Sequence, residues 1–354
     1  MLRIPFLVRE RTGSASTSLD RYGFVEVRGG GSRLVCLPAV AGRIVALEIG
    51  GRQWLWHNPW IGFAAPVEGA DYALAADSGG LDECFPTVAA CRLPGWVRGW
   101  GGVTLPENGE LWSQIPEVDI DTGPEGQAVV TTWEGRRLPF RITRLARVVP
   151  DGSVVLEYHA INDSADRIPF IWAPRPVLPM TSETRLFLPE GAPLRVVRSY
   201  GIPMGDARSL HRWPFVRAAG RVLDFLTPFD VAREYACQLY LDLPEGRAVV
   251  REGSLELEVS FDVQCVGQFA LWLNKGGWSP FKGRGSRRRY YNMVFAPAIG
   301  APDSLAEALG DWKRAQWLEP GEVRSWWIAW RARAVASDDD ASGTPYHTET
   351  DRSS

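Results

Sequence analysis

Between Asp77 and Trp112 the chain reads DSGGLDECFPTVAACRLPGWVRGWGGVTLPENGELW, a stretch that puts an acidic pair, Asp82 and Glu83, among two cysteines, three tryptophans and seven glycines. It shows neither a sustained helical period nor a long strand alternation, which is the pattern of a loop. Gly and Pro permit tight turns, and carboxylates, an amide and indole faces are the groups that a polyhydroxylated ligand needs around it. Composition alone accommodates equally a long surface crossover with some buried aromatics.

Asp82 with Glu83, and Glu107 with Glu110, are paired carboxylates of the kind that supply an acid and a base in glycoside chemistry, although any soluble chain has such pairs. Of the four histidines, His57 in WLWHNPW is the candidate acid or base, because His159 sits inside the strand pattern VVLEYHAIND and His347 lies near the chain end. Glu83, Glu110 and His57 are therefore the candidate catalytic groups. No Ser-His-Asp or Cys-His context, Walker loop or dinucleotide glycine fingerprint is present. The five cysteines, Cys36, Cys84, Cys91, Cys237 and Cys265, show no C-x-x-C spacing and no metal-like pairing with histidine. They read as buried thiols, and neither metal nor cofactor is expected. Among 16 tryptophans, Trp96, Trp100, Trp112, Trp172 and Trp278 lie in or near loop-like segments, where flat apolar faces stack on sugar rings. Core filling accounts for the tryptophans elsewhere.

The elements that must position these groups read as β-structure. Short runs rich in Val, Ile, Leu and aromatics alternate with Gly, Pro and Asp turns from Tyr22 onward. Tyr22 to Arg28, Arg33 to Leu37 and Arg43 to Ile49 are expected strands, the last meeting Gln53 to Trp56 across the hairpin signal Gly50-Gly51. Trp112 to Ile120, Ala128 to Trp133, Phe140 to Val149 and Ser153 to Ile161 continue the series, with Pro150-Asp151-Gly152 as a turn. Further strands are expected at Thr184 to Leu188, Leu194 to Ser199, Gln238 to Leu243, Ala248 to Arg251, Leu255 to Phe261, Phe269 to Leu273, Asn292 to Phe295 and Val323 to Ala332. One helix is expected, Asp303 to Ala315, opened by a capping box at Ser304 and Glu307. These patterns predict one large antiparallel β-sandwich domain over residues 1–335, followed by a disordered polar tail, 336–354.

With 39 basic and 42 acidic residues the formal charge is −3, which argues against nucleic acid or an anionic membrane as partner. The basic run RGSRRR from Arg284 to Arg289 then reads as a solvated loop. The first residues carry no h-region or cleavage site and no run reaches the ~18 apolar residues of a membrane span, so a cytoplasmic protein is expected.

Four segments in order resemble the aldose 1-epimerase (galactose mutarotase-like) superfamily over roughly Val25 to Arg333. SRLVCLPAVAGRIVALEIGGRQWLW resembles the family's opening hairpins, and SGGLDECFPTV followed by LPENGELWSQIPEV resembles its GG-x-x-x-x-FP and P-D-H-G-E-x-W block. FIWAPRPVL resembles its W-A-x-H-P segment. VFAPAIGAPDSLAEAL with LEPGE resembles its E-P-x-x-G-x-P-D strand and L-x-P-G-E turn. The resemblance implies the mutarotase supersandwich fold and a carbohydrate as small-molecule partner. In active members two His and one Glu carry out the reaction, and the matching positions here are Asn108, Arg175 and Ala296.

Mutarotation needs a base for the anomeric hydroxyl proton and an acid for the ring oxygen. Asn does not titrate usefully, Arg stays protonated, and Ala has no functional group. The resemblance thus implies a sugar-binding or sugar-acid-binding protein without the usual acid and base. Its expected binding residues are Asp82, Glu83, Asn108, Trp112, Trp172, Arg175 and Trp278. Two alternatives stand beside it: a working epimerase with Glu83 or Glu110 as relocated base and His57 as acid, and an interaction protein whose pocket is vestigial. Oligomeric state is not legible.

Overall fold

Strict alternation becomes strand wherever a turn permits. Phe140–Val148 and Val154–Asn162 bury every second side chain and pair antiparallel across Pro150-Asp151-Gly152, with Val148 opposite Val154. Gly50 and Gly51, at φ 64° and 77°, close the hairpin that sets Ile49 opposite Arg52, since a two-residue turn of this type needs positive φ at both positions. In this computed structural model residues 22–335 are described, apart from 76, 124–125, 206–208, 219 and 282–289. The basic run Arg284 to Arg289 and the tail 336–354 lie outside the described residues.

Among the described residues the main strands form a 13-stranded and an 8-stranded sheet. The larger runs in space from Val25–Gly29 through Ser32–Leu37, Arg43–Ile49, Leu81–Cys84, Ala173–Pro179, Tyr291–Ala298, Gln268–Lys275 and Tyr235–Asp242 to Pro193–Tyr200, and ends in three short strands between Leu210 and Asp224. The smaller holds, in order, Thr184–Phe187, Arg247–Glu252, Leu255–Phe261, Val323–Ala334, Val154–Asn162, Phe140–Val148, Gly126–Glu134 and Glu117–Gly123. Inner faces of both sheets meet in one apolar core, where Phe269 and Phe295 of the larger sheet join Phe261, Leu156 and Ile328 of the smaller. Phe261 and Phe269 face each other at 6.0 Å between ring centroids. The architecture is the antiparallel sandwich that the turn spacing predicts.

Three expectations need correction. The late helix spans only Leu305–Leu309: Ser304 caps it by accepting from Glu307 N, but Gly310 ends it, and glycine is a poor residue to continue a helix. A second helical turn, Tyr72–Ala75, was not expected. The strand expected from Trp112 begins only at Glu117, because Gln114 turns back to donate to the Glu110 carbonyl at 3.0 Å and Pro116 follows.

Two inner strands of the larger sheet were hidden in the sequence. Leu81–Cys84 lies inside the stretch that reads as a loop, and Ala173–Pro179 carries Pro174, Pro176 and Pro179, which argue against an inner strand because they lack a donor. The latter pairs with Leu81–Cys84 through residues 173–176 and with Tyr291–Ala298 through residues 177–179. Val177 supplies a donor that the prolines cannot, bonding to the Gly80 carbonyl at 2.9 Å.

Candidate functional site

Strand alternation assigns the acidic pair to opposite faces of the larger sheet. Asp82 stands directly across from Arg175, and both side chains leave on the outer face. Glu83, opposite Pro174, points into the core between the sheets. There its Oε1 accepts from Arg144 Nη1 at 3.1 Å and Tyr158 Oη at 2.9 Å, while Oε2 accepts from Trp172 Nε1 at 3.1 Å.

The outer face continues across the neighbouring strands. Ala173, Arg175 and Val177 share it with Asn292, Val294 and Ala296, then Ala270, Trp272 and Asn274, then Gln238 and Tyr240, then Arg198 and Tyr200. These residues floor a cavity of about 300 Å³. Register explains its depth: Ala270 lies opposite Ala296 on the adjacent strand, so small side chains cross the middle of the sheet. Trp272 and Trp278 meet edge to face at 5.7 Å and build an aromatic wall with Tyr290. Asn274 fixes that wall by donating to the Trp278 carbonyl at 3.0 Å and accepting from Trp278 N at 3.2 Å.

Arg175 lines the same cavity. Its Nη1 donates to Asn108 Oδ1 at 2.6 Å and its Nη2 to Tyr72 Oη at 2.9 Å, while Nε lies 3.4 Å from Asp82 Oδ1. Tyr72 donates in turn to Asp82, and Arg43 bonds to the same carboxylate at 3.1 Å. Asn108 reaches Arg175 from a left-handed turn, φ 58°, followed by Gly109 at φ 70°. Asn is one of the few residues with a side chain that tolerates this conformation. Burial works against the charge on Arg175, but the Tyr72 and Asp82 oxygens outweigh it and hold the guanidinium as a firm cation. Burial also raises the pKa of Tyr72 against the pull of Arg175 and Arg43, so the phenol stays protonated.

A second polar corner lies in the same cavity. Asp303 accepts from Tyr240 Oη at 2.7 Å and forms an ion pair with Arg198.

Of the expected site residues, Asn108, Arg175 and Trp278 line the cavity, together with Ala296. Asp82 does not line it; it lies buried beneath Arg175 and Tyr72 and holds both. Trp112 stands one layer back, edge-on to Tyr72 at 5.1 Å, with its Nε1 donating to the Glu107 carbonyl at 2.7 Å. Glu83 and Trp172 belong to the core, as the strand parity requires.

Glu110 and His57 also miss the cavity. Glu110 Oε2 accepts from the backbone N–H groups of Arg136 and Arg137 at 2.7 and 2.9 Å, pinning a loop, and burial raises its pKa against those bonds. His57 Nε2 donates to the Val45 carbonyl at 2.7 Å and its ring meets Phe63 edge-on. No histidine is among the lining residues, so the rebuilt acid and base expected from Glu83, Glu110 and His57 do not form around this cavity.

Sequence reasoning missed Tyr72, Arg198, Gln238, Tyr240, Trp272 and Asp303 as lining residues. One signal was available: in QFALWLNK the apolar Phe269, Leu271 and Leu273 alternate with Ala270, Trp272 and Asn274, so the indole and the amide share the face away from the core. Among the described residues no three His, Cys, Asp or Glu side chains come together as metal ligands, and no helix is long and apolar enough to cross a membrane. All five cysteines are free thiols.

No family model matches the chain, and no curated protein matches it in sequence. Solved structures do match. The Slr1438 protein of Synechocystis sp. PCC 6803 superposes with a TM-score of 0.64 at 16% identity, covering 91% of this chain and 100% of that one. A putative aldose 1-epimerase of Escherichia coli K12 gives 0.57 at 13% identity, covering 88% and 99%. The galactose mutarotase related enzyme of Lactobacillus acidophilus gives 0.58 at 12% identity, covering 89% and 99%. Near-complete coverage in both directions at such low identity establishes architecture and leaves chemistry to the site. The chain has the galactose mutarotase-like β-sandwich fold.

Proposed function

We propose that this protein binds a sugar or an anionic sugar derivative in the cavity of its larger sheet, without the proton transfers of an aldose 1-epimerase. The observation that carries this reading is Arg175, a permanent cation clamped by Asp82, Tyr72 and Asn108 in the wall of a cavity that no histidine lines. The three positions where the family resemblance calls for acid and base groups hold Asn108, Arg175 and Ala296, and all three open onto this one cavity. Trp272 and Trp278, backed by the buried Tyr290, offer faces for a sugar ring, while Asn108, Gln238 and Asn292 offer neutral hydrogen bonds. Ala296 leaves open the space where a carboxylate would repel an anion. Loss of positioned acid and base groups typically costs ~10²–10⁴ each in rate, which places ordinary mutarotation close to the uncatalysed reaction.

Calorimetric titration with glucose, galactose, glucuronate and galacturonate tests the binding, and polarimetry on glucose and galactose tests the chemistry. Sugar acids are expected to bind more tightly than the neutral sugars, and Arg175→Ala is expected to abolish that preference. Mutarotation well above the spontaneous rate would overturn the reading, as would a preference for acids that survives the loss of Arg175.

A further inference from the structure

We infer that the Asp303, Arg198 and Tyr240 corner of the cavity is a diol-binding subsite, and that it orients a single-ring sugar monocarboxylate whose acid group sits on Arg175. This rests on the proposed function and assigns the ligand class and its direction in the cavity.

Asp303 lines the cavity although only 5% of its side chain is exposed. Tyr240 donates to Oδ1 and Arg198 to Oδ2, so each carboxylate oxygen has one donor from the protein. A carboxylate has about four acceptor sites, which leaves roughly one on each oxygen. Two adjacent acceptors of fixed charge match two adjacent hydroxyl donors. Arg198 and Asp303 form an ion pair, and a neutral diol adds no charge to that corner.

The opposite pole suits one negative charge. Arg175 carries five N–H groups. Two are committed to Asn108 and Tyr72, and Nε is buried 3.4 Å from Asp82 Oδ1, out of a ligand's reach. Two remain, the number that one carboxylate engages. Arg43 and Arg175 share Asp82, and the buried Asp77 also acts on Arg43, so a ligand carboxylate is met by the two unengaged N–H groups of Arg175. Glu107 reaches the cavity only from an exposed rim, where water and salt screen it.

Backbone links set the span between the poles. The Asp303 carbonyl accepts from Val88 N at 2.9 Å, and the Val88 carbonyl accepts from Asn108 N at 2.6 Å. Asp303 and Asn108 are thus one segment apart, ~10 Å at ordinary strand spacing. That backbone spacing is of the order of one sugar ring with its substituents.

The test compares glucuronate with tetrahydropyran-2-carboxylate, which keeps ring and acid but has no hydroxyls, on the intact protein by calorimetry. In the wild type glucuronate is expected to bind at least tenfold more tightly, the lower end for hydrogen bonds to a charged group. Asp303→Asn and Tyr240→Phe are each expected to shrink that ratio below threefold while leaving tetrahydropyran-2-carboxylate unchanged. A ratio that stays at tenfold or more in Asp303→Asn overturns the subsite while the proposed function stands. Absence of any sugar or sugar-acid binding to the wild type removes the proposed function itself. Tighter binding of glucose 6-phosphate than of glucuronate overturns the monocarboxylate assignment. Because the ligand pair is compared within each variant, a general loss of folded protein does not imitate the expected change in ratio.

Discussion

A step of one residue along Leu81–Cys84 separates two carboxylates with different tasks. Glu83 sits with Arg144 in the core, both almost wholly buried. Burial raises the Glu83 pKa, against the pull of Arg144 and the Tyr158 hydroxyl. Breaking a buried pair by removing one partner typically costs about 3–5 kcal/mol. Glu83→Ala is expected to destabilise by that order, read as a shift in the urea unfolding midpoint. A loss under about 1 kcal/mol would contradict this account. Ala296 permits a cleaner question about charge. Ala296→Glu and Ala296→Gln put side chains of similar size into the cavity floor, and only the first adds a negative charge. Glucuronate affinity is expected to be at least tenfold lower in the Glu variant than in the Gln variant, because like charges brought together cost several kcal/mol. Glucose affinity is expected to differ little between the two.

Residue identity, rather than position, was the legible part of the site. Asn108 and Arg175 could be picked out because they replace expected groups inside recognisable motifs, and both line the cavity. Glu83 and Trp172 were misplaced for one reason: a run read as loop has no parity, and only its pairing with Ala173–Pro179 reveals which side chains face inward.

Among the elements, the Asn108-Gly109 turn delivers the amide to Arg175. Gly109 has φ 70°, and a Cβ there would lie 2.2 Å from the Phe85 carbonyl oxygen, a backbone atom that cannot move aside alone. Gly109→Ala is expected to cost more than the ~1 kcal/mol scale of compatible glycine replacements and to weaken sugar-acid binding. Thermal unfolding and calorimetry on one preparation check both effects.

Cross-strand charge makes a separate prediction. Glu256 lies opposite Arg251 on one neighbouring strand and Arg333 on the other. Burial alone would raise its pKa, but these two guanidinium groups outweigh it and hold it below the ordinary 4.5. A carboxylate depressed in the folded state stabilises above its unfolded value and loses that contribution as pH falls through the folded one. The stability difference between wild type and Glu256→Gln should be level above pH 4.5 and shrink below it. Denaturation at a series of pH values would show a growing difference in acid if the sign were wrong. Strands with clean alternation, such as Phe140–Val148, were legible in the sequence to within a residue. The proline-bearing Ala173–Pro179 was not, because three missing donors look like a break until its two partners are known.

At the scale of the whole molecule, the cavity and the apolar core lie on opposite faces of one sheet. The core holds Tyr158 and Trp326 stacked at 5.5 Å with 6° between their planes. Trp326→Ala is expected to lower stability by roughly 3–5 kcal/mol, the usual range for a large aromatic removed from a core. Ligand affinity measured where the protein is still folded should remain within about twofold, since Tyr158, Phe170 and Trp172, the rings around Trp326, do not line the cavity. Fold class was legible because turn spacing and alternation repeat along the chain, so individual misreadings average out. The cavity was not, since its concavity comes from which small residues fall opposite one another across strands far apart in sequence.

That pair of small residues has a practical meaning for protein engineering. Ala270 and Ala296 are paired across adjacent strands, point away from the core, and sit on a backbone braced from behind by Leu271 and Phe295. Enlarging either one trims the cavity by about the volume of the atoms added, while the strands keep their register. A graded series at these positions, from serine through valine to leucine, would act as a molecular ruler: the step at which each sugar is excluded reports how deeply its ring descends and which edge it leads with.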